Sequence, residues 1–139
     1  MTTTSAFASA PAQTKDSLLR LAMRADAVIS GLTGIATVIF AQRASELSGT
    51  TPGFEYTIGG SFVVFGVTVL ALAARPPIRT SGLVLAIGNL LFSVATVVVV
   101  IAGVWPLTTT GVVLFLGTGV YTLVMAELQY QGVRRIAKR

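Results

Sequence analysis

Four long apolar runs dominate the chain and define its predicted elements. They cover Ala25–Gln42, Thr57–Ala74, Gly82–Val104 and Leu107–Leu128. A helix needs roughly 17–25 mainly apolar residues to cross the hydrocarbon core of a bilayer, and each run has that length. Because lipid offers no hydrogen-bond partner to free backbone groups, even the β-branched stretch Val97–Val100 is predicted to be helical. The pattern therefore predicts an all-α fold, a bundle of four transmembrane helices.

Composition supports a membrane protein and excludes several other classes. The 139 residues are 53% hydrophobic and 11% charged, with a mean hydropathy of +0.82, whereas soluble domains carry about 25% charged residues. The chain contains no cysteine and no histidine. This removes disulfides, Cys/His metal sites and triads built on histidine. The sequence also holds no nucleotide-binding loop, so we expect no catalytic residue, no metal, no cofactor and no enzymatic activity.

The basic residues indicate the orientation of the bundle. Loops that stay in the cytoplasm carry an excess of lysine and arginine. Nine of the ten basic residues fall on one predicted side, and only Arg43 falls on the other; the nine are Lys15, Arg20, Arg24, Arg75, Arg79, Arg134, Arg135, Lys138 and Arg139. Both termini are therefore predicted to face the cytoplasm. The predicted location is the inner (plasma) membrane of a bacterium. The net charge of +5 then reflects topology and anionic lipid rather than nucleic acid.

The segments outside the apolar runs complete the predicted organisation. Residues 1–17 are rich in threonine, serine and alanine and are predicted to form a disordered cytoplasmic leader. Residues 18–133 form the membrane domain, and residues 134–139 a basic cytoplasmic tail. The connection Arg43–Tyr56 has a turn composition and is predicted to be an outer loop. The very short connection Trp105-Pro106 predicts a tight antiparallel hairpin of the third and fourth helices.

Small and polar side chains recur at helical spacing inside two of the runs. In the third run Asn89, Ser93 and Thr96 follow one another at intervals of four and three, the spacing of a left-handed helix pair. Ser30 and Thr33 lie at similar spacing in the first run. Such residues let helices approach closely and hydrogen-bond across the contact, so helix packing is the favoured interpretation. Contact with a solute is the alternative, above all for Asn89, the only asparagine.

Two acidic residues lie at the ends of the predicted spans. Asp26 and Glu127 are both placed near the cytoplasmic boundary, where Arg24, Arg75 and Arg79 are also expected. We predict that these groups form ion pairs at that boundary. Acidic residues within a membrane are functional candidates by default, so a proton-binding carboxylate is the alternative.

Several short segments resemble known membrane proteins. The segments LLRLAMRADA at residues 18–27, AARPP at 73–77, GNLL at 88–91 and AELQY at 126–130 are similar to those of small uncharacterised bacterial four-helix integral membrane proteins. The architecture is also similar to DoxX-like proteins, some of which are implied to be membrane subunits of redox enzymes. The chain has the size of small multidrug-resistance transporters, but those carry a glutamate well inside the first helix, where this chain has only Asp26 at its start. The resemblance implies a topology class and no site residues.

The functional expectation is a non-catalytic membrane protein, most simply an accessory subunit of a larger membrane complex. Its expected partners are the lipid bilayer and either another membrane protein or further copies of the same chain; nucleic acid is not expected. The alternative is a small oligomeric transporter or channel. A charged or strongly polar group at mid-membrane depth would favour that alternative.

Overall fold

The computed structural model describes residues 2–137, with side chains described for residues 16–136. It consists of five helices, of which four are long. They are α1 (Thr2–Ile39), α2 (Ala41–Ser48), α3 (Pro52–Ala73), α4 (Ile78–Ala102) and α5 (Thr109–Ala137). Across residues 2–137 there is no β-strand. The predicted all-α fold with four long apolar helices is confirmed.

Each long helix contains a segment long and apolar enough to cross a membrane. These segments are Asp16–Ile39, Pro52–Ala73, Ile78–Ala102 and Thr109–Ile136. The chain thus has the architecture of a multi-pass membrane protein. Large apolar side chains cover the outside of the bundle, with Ile101 80% exposed and Leu91 63% exposed. Such surfaces are stable against lipid, since lipid tails are as apolar as the side chains themselves.

The first and last segments extend further than the apolar runs predicted. α1 is already helical before Ala25, and α5 continues beyond Leu128 to Ala137. Leu19 and Met23 explain the early start of α1, because both side chains are fully buried in the bundle. Polar residues on the remaining faces of these turns had interrupted the apolar pattern in the sequence.

The predicted outer loop contains a short helix, α2, and the first turn of α3. Ala41, Ser45 and Ser48 are buried, at intervals of four and three that place them on one helix face. Gly49 ends α2 with φ 86°, and its N–H donates to the Ser45 carbonyl oxygen at 2.8 Å. Such a left-handed position favours glycine. The loop prediction missed α2 because its polar composition resembles that of a turn.

The helices pack as two antiparallel pairs. α1 lies along α3 and α4 lies along α5, as the short Trp105-Pro106 connection predicted, while α1 and α5 join the pairs. α3 and α4 make few direct contacts with each other. A Cβ added at Gly34 would lie 2.5 Å from the carbonyl oxygen of Gly59, so these two backbones approach too closely for side chains. The bundle is therefore tight between α1 and α3 and loose between α3 and α4.

The buried apolar core lies towards the end of the bundle where α1 enters and α5 finishes. Leu19, Met23 and Ala27 of α1 pack there with Val69 of α3 and Val133 of α5. The predicted disordered leader, residues 1–17, lies almost wholly outside the residues whose side chains are described, and it stays a prediction. Of the predicted basic tail, Arg134 and Arg135 continue α5, and residues 138–139 lie outside the described residues.

Candidate functional site

A carboxylate fully enclosed by the bundle forms the centre of the candidate site. Asp26 of α1 is 0% exposed. Its Oδ1 accepts hydrogen bonds from the Ser30 hydroxyl at 3.1 Å and the Tyr121 hydroxyl at 2.9 Å. Its Oδ2 accepts from Asn89 Nδ2 at 2.8 Å and Gln129 Nε2 at 2.9 Å. These five residues, the Asp26 cluster, connect α1, α4 and α5.

The hydrogen-bond pattern fits an ionised carboxylate held by neutral groups. An ionised carboxylate only accepts, and four donors point at Asp26. Asn89 Nδ2 also donates to Gln129 Oε1 at 3.0 Å, which fixes the relative orientation of the two amides. Among residues 16–136 the ion pairs are Arg20–Asp16 and Arg43–Glu46, so the described side chains place no cation on Asp26. Within residues 16–136, only neutral groups donate to its carboxyl oxygens.

The position of Asp26 differs from the predicted ion pair at the cytoplasmic boundary. Asp26 is hydrogen-bonded to Asn89, which follows the start of α4 at Ile78 by eleven residues, or about 16 Å along a helix that rises 1.5 Å per residue. Arg20 lies nearer that end, where its guanidinium donates to the Ala73 carbonyl oxygen at 2.7 Å. Arg24 is on an exposed face. Within residues 16–136, the hydrogen bonds to Asp26 therefore come from neutral side chains and not from the predicted arginines.

Glu127 lies in a different environment from Asp26. It is exposed on α5 and accepts a hydrogen bond from Gln131 Nε2 at 2.8 Å, one helical turn away. Arg75 and Arg79 are also exposed, and neither forms an ion pair with a residue of the described range 16–136. The structure therefore does not bring the predicted boundary group together.

The predicted polar stripe lies between α4 and α5. Besides Asn89, Ser93 donates to the Gly119 carbonyl oxygen at 2.8 Å. Thr96 is buried and donates to the Ser93 carbonyl oxygen at 2.7 Å, with its own hydroxyl where a side chain at position 119 would stand. In this structure Asn89 and Ser93 both join helices. Thr33 is exposed and lines two neighbouring cavities between the helices.

A cavity of about 740 Å³, the main cavity, lies beside the Asp26 cluster. All four long helices line it, and most of its wall is apolar or aromatic. Three of the polar residues in the wall, Ser30, Asn89 and Tyr121, also donate hydrogen bonds to Asp26. The other polar wall residues are Thr33, Ser61, Thr118 and Thr122. Asn89 Oδ1 accepts no hydrogen bond from residues 16–136. The wall therefore presents oxygen atoms to the cavity, backed by the negative charge of Asp26.

Sequence reasoning missed Gln129, which is 0% exposed and supplies one of the four donors. A signal for it existed. Tyr121, Met125 and Gln129 follow at intervals of four, so they share one face of α5, which Glu127 does not. Met125 is buried, which shows that this face of α5 is directed into the bundle. The polar side chains on the same face therefore also point inwards. The acidic residue was chosen by charge alone, whereas the helix face decides which side chain reaches the centre.

Comparison of the chain with known protein families, with curated proteins and with solved structures gives no match. The resemblance to small four-helix membrane proteins and to DoxX-like architecture thus stays an expectation from the sequence. The functional argument rests on the geometry of the Asp26 cluster and the main cavity.

Proposed function

We propose that this multi-pass membrane protein is a small transporter that accepts an amphipathic organic cation in the main cavity. The observation that carries the proposal is the Asp26 cluster: a fully buried carboxylate, held by four neutral donors, beside a cavity inside the membrane-spanning bundle. The sequence had named a polar group at mid-membrane depth as the feature favouring transport.

The energetics of a buried charge support this role. Removing an ion from water costs several kcal/mol even after the protein relaxes, and neutral dipoles offset only part of that cost. Ionisable residues inside membranes are therefore rare and usually serve a pathway or a ligand. A cation in the main cavity would restore charge balance to Asp26 through the groups that separate them. A purely structural role would be served as well by an uncharged residue.

The wall of the main cavity fits the other end of such a solute. Phe62 of α3 and Phe92 of α4 line it with ring centroids 5.8 Å apart. Aromatic faces attract organic cations, and more strongly once water is removed. The volume of about 740 Å³ lies within the roughly 300–1,000 Å³ of small-molecule sites. An apolar body would lie against the rings, with a donor group directed at Asn89 and Tyr121.

The location and orientation belong to the same proposal. Nine of the ten basic residues fall on one side of the four helices, which supports cytoplasmic termini by the positive-inside rule. A bacterial inner membrane is the setting we propose. Because four helices rarely enclose a transport pathway alone, we propose that the transporter acts as an oligomer. The proposal includes no nucleic-acid partner and no catalytic reaction.

The competing candidate is a non-catalytic accessory subunit of a membrane complex. The broad apolar exterior favours it, since Val64 and Val84 are about two-thirds exposed in the isolated chain and such surfaces also serve helix–helix contacts. The accessory role does not explain the buried carboxylate of Asp26 or the main cavity. Purification from native membranes separates the two candidates: a stoichiometric second protein supports the accessory role, and its absence together with ligand binding supports transport.

Binding of ethidium tests the transport proposal. This probe is a planar aromatic cation with amino donors, and its fluorescence rises on leaving water. The purified full chain in lipid nanodiscs should bind it. Tyr121→Phe should weaken binding because it removes one donor to Asp26 and one oxygen of the wall. Asp26→Asn should weaken it by about thirtyfold or more, the effect expected for one member of a buried charge pair.

Glu127→Gln is the matched control, because Glu127 is an exposed carboxylate outside the main cavity. It should bind ethidium like the unmodified chain. If the Asp26, Tyr121 and Glu127 variants all bind ethidium with the same affinity, the main cavity is rejected as the binding site. The proposal is also rejected if the folded wild-type protein does not bind ethidium.

A further inference from the structure

A second carboxylate is buried near the end of the bundle that is formed by α2 and the start of α3. Glu55 lies in the first turn of α3 and is 8% exposed. Its Oε1 accepts hydrogen bonds from the Ser48 hydroxyl at 3.1 Å and from the Thr50 hydroxyl. Its Oε2 accepts none from any group in residues 16–136. One oxygen of a buried carboxylate is thus left free for a ligand.

The charged groups around Glu55 do not neutralise it. On α2, Arg43 and Glu46 are exposed and pair with each other at 3.7 Å. Tyr56, the next residue of α3, is 53% exposed. The neighbouring ends of the other long helices, residues 33–39, 96–102 and 109–120, contain no titratable side chain. Within the part of the chain whose side chains are described, Glu55 is therefore a second buried acid without a cation.

Glu55 lines a smaller cavity of about 210 Å³. This smaller cavity and the main cavity share six wall residues: Thr33, Ile58, Phe62, Phe92, Leu114 and Thr118. The two spaces are therefore neighbours, separated by side chains that belong to both walls. Asp26 is associated with one end of this combined space, and Glu55 with the other.

Three hydroxyl side chains of α1 line the two cavities. Ser30 lines the main cavity, Thr33 lines both cavities, and Thr37 lines the smaller one. From Asp26 to Thr37 is eleven residues, or about 16 Å along the helix axis. Thr37 donates to the Thr33 carbonyl oxygen at 2.8 Å, so the lone pairs of its hydroxyl oxygen can still coordinate a cation or accept a hydrogen bond from water.

The difference in volume indicates different ligands. The smaller cavity lies below the roughly 300 Å³ at which drug-sized sites begin, yet its volume of about 210 Å³ is large enough for a small ion with water. A single carboxylate with hydroxyl neighbours supplies the oxygen ligands that hard cations prefer. An organic cation therefore fits the main cavity, and a compact monovalent cation fits beside Glu55.

We propose that Glu55 binds a monovalent coupling cation, Na⁺ or hydronium, in the smaller cavity, and that this ion exchanges for the organic cation of the main cavity. The proposal rests on the transport function proposed above and adds to it a second site, the residue that forms it and the class of ion. Exchange of one monovalent cation for another moves no net charge across the membrane.

Efflux of ethidium from proteoliposomes tests the coupling. The purified full chain is reconstituted, ethidium is loaded inside, and the membrane potential is held at zero with potassium and valinomycin. An inward Na⁺ gradient and an inward proton gradient are applied in separate arms, which distinguish the two ions. One gradient should accelerate wild-type efflux, and Glu55→Gln should reduce that acceleration by about tenfold while ethidium binding in nanodiscs stays at the wild-type affinity.

Glu46→Gln is the control, since Glu46 is an exposed acid of the neighbouring helix α2. It should retain gradient-driven efflux. If Glu55→Gln also retains it, or if neither gradient drives efflux from a wild-type protein that binds ethidium, the coupling site is rejected while the proposed function stands. If the wild-type protein binds no ethidium, both proposals fail.

Glu55→Asp covers the case in which Glu55→Gln does not fold. The shorter side chain keeps the charge but withdraws it from the cavity, so the half-saturating concentration of the coupling ion should rise by about fivefold or more. A purely structural role for Glu55 would lower the amount of folded protein and leave that concentration unchanged. An unchanged half-saturating concentration overturns the proposal.

Discussion

At the scale of single residues, the two intramembrane acids singled out from the sequence have opposite environments. Asp26 is enclosed by four neutral donors, whereas Glu127 is exposed and bonded to Gln131. Charge and depth in the sequence treat these residues alike. What separates them is the helix face, because a carboxylate directed into the bundle must find its partners among the side chains of other helices. Asn89 is one such partner.

Replacement of Asn89 by leucine should destabilise the protein. Asn89 donates to both Asp26 and Gln129, so Asn89→Leu removes two buried hydrogen bonds and should cost about 1–3 kcal/mol. Ser93→Ala is the matched variant of the same helix. It loses one bond to the Gly119 carbonyl oxygen and should cost about 0.6 kcal/mol. Thermal melting in detergent measures both, and an equal or smaller loss for Asn89→Leu contradicts the central place of this amide.

At the scale of helices, the apolar runs predicted all four long elements, because a membrane span needs only length and hydrophobicity. Their ends were less accessible. Residues 16–24 have a charged residue at every fourth position, and only the packed bundle shows that Leu19 and Met23 are buried. The site was accessible only in part: Asn89 was identified, but its bond to Asp26 spans 63 residues and that of Gln129 spans 103. Local spacing contains no information on such pairings.

The contact between α1 and α3 should be sensitive to a single methyl group. A Cβ at Gly34 would lie 2.5 Å from the Gly59 carbonyl oxygen and 2.9 Å from the Val63 backbone nitrogen. Backbone atoms of a packed helix cannot move aside cheaply, so Gly34→Ala should cost about 1–3 kcal/mol. Gly60→Ala is the control, since a Cβ there meets nothing within 4 Å, and alanine should stabilise the helix by up to about 1 kcal/mol.

Apparent melting temperatures of the two alanine variants in the same detergent decide the matter. The Gly34 variant should melt below the wild-type protein and the Gly60 variant at or above it. The reverse order would show that the close backbone approach of α1 and α3 does not limit stability.

At the scale of the whole molecule, each end of the bundle lies nearer to one of the two buried acids. We call the end where α3 finishes and α4 begins the Asp26 end, and the end where α3 begins the Glu55 end. The direction of the proposed transport depends on which end faces the cytoplasm. Of the basic residues within 16–136, Arg20, Arg75 and Arg79 are near the Asp26 end, and only Arg43 is near the Glu55 end. By the positive-inside rule, Glu55 is therefore expected to lie at the outer face.

Labelling of single-cysteine variants in intact cells tests this orientation. The chain has no cysteine of its own, so each variant carries one reactive thiol. Gly53 suits the Glu55 end, since it is exposed and a Cβ there meets nothing within 4 Å; Ser48 does not, because it is buried. Thr80 is an exposed position at the other end. Gly53→Cys should react with a membrane-impermeant maleimide in whole cells, and Thr80→Cys should react only after the membrane is opened. If only Thr80→Cys reacts in intact cells, the orientation is the opposite of the expected one. Asp26 would then lie towards the outer face and Glu55 towards the cytoplasm.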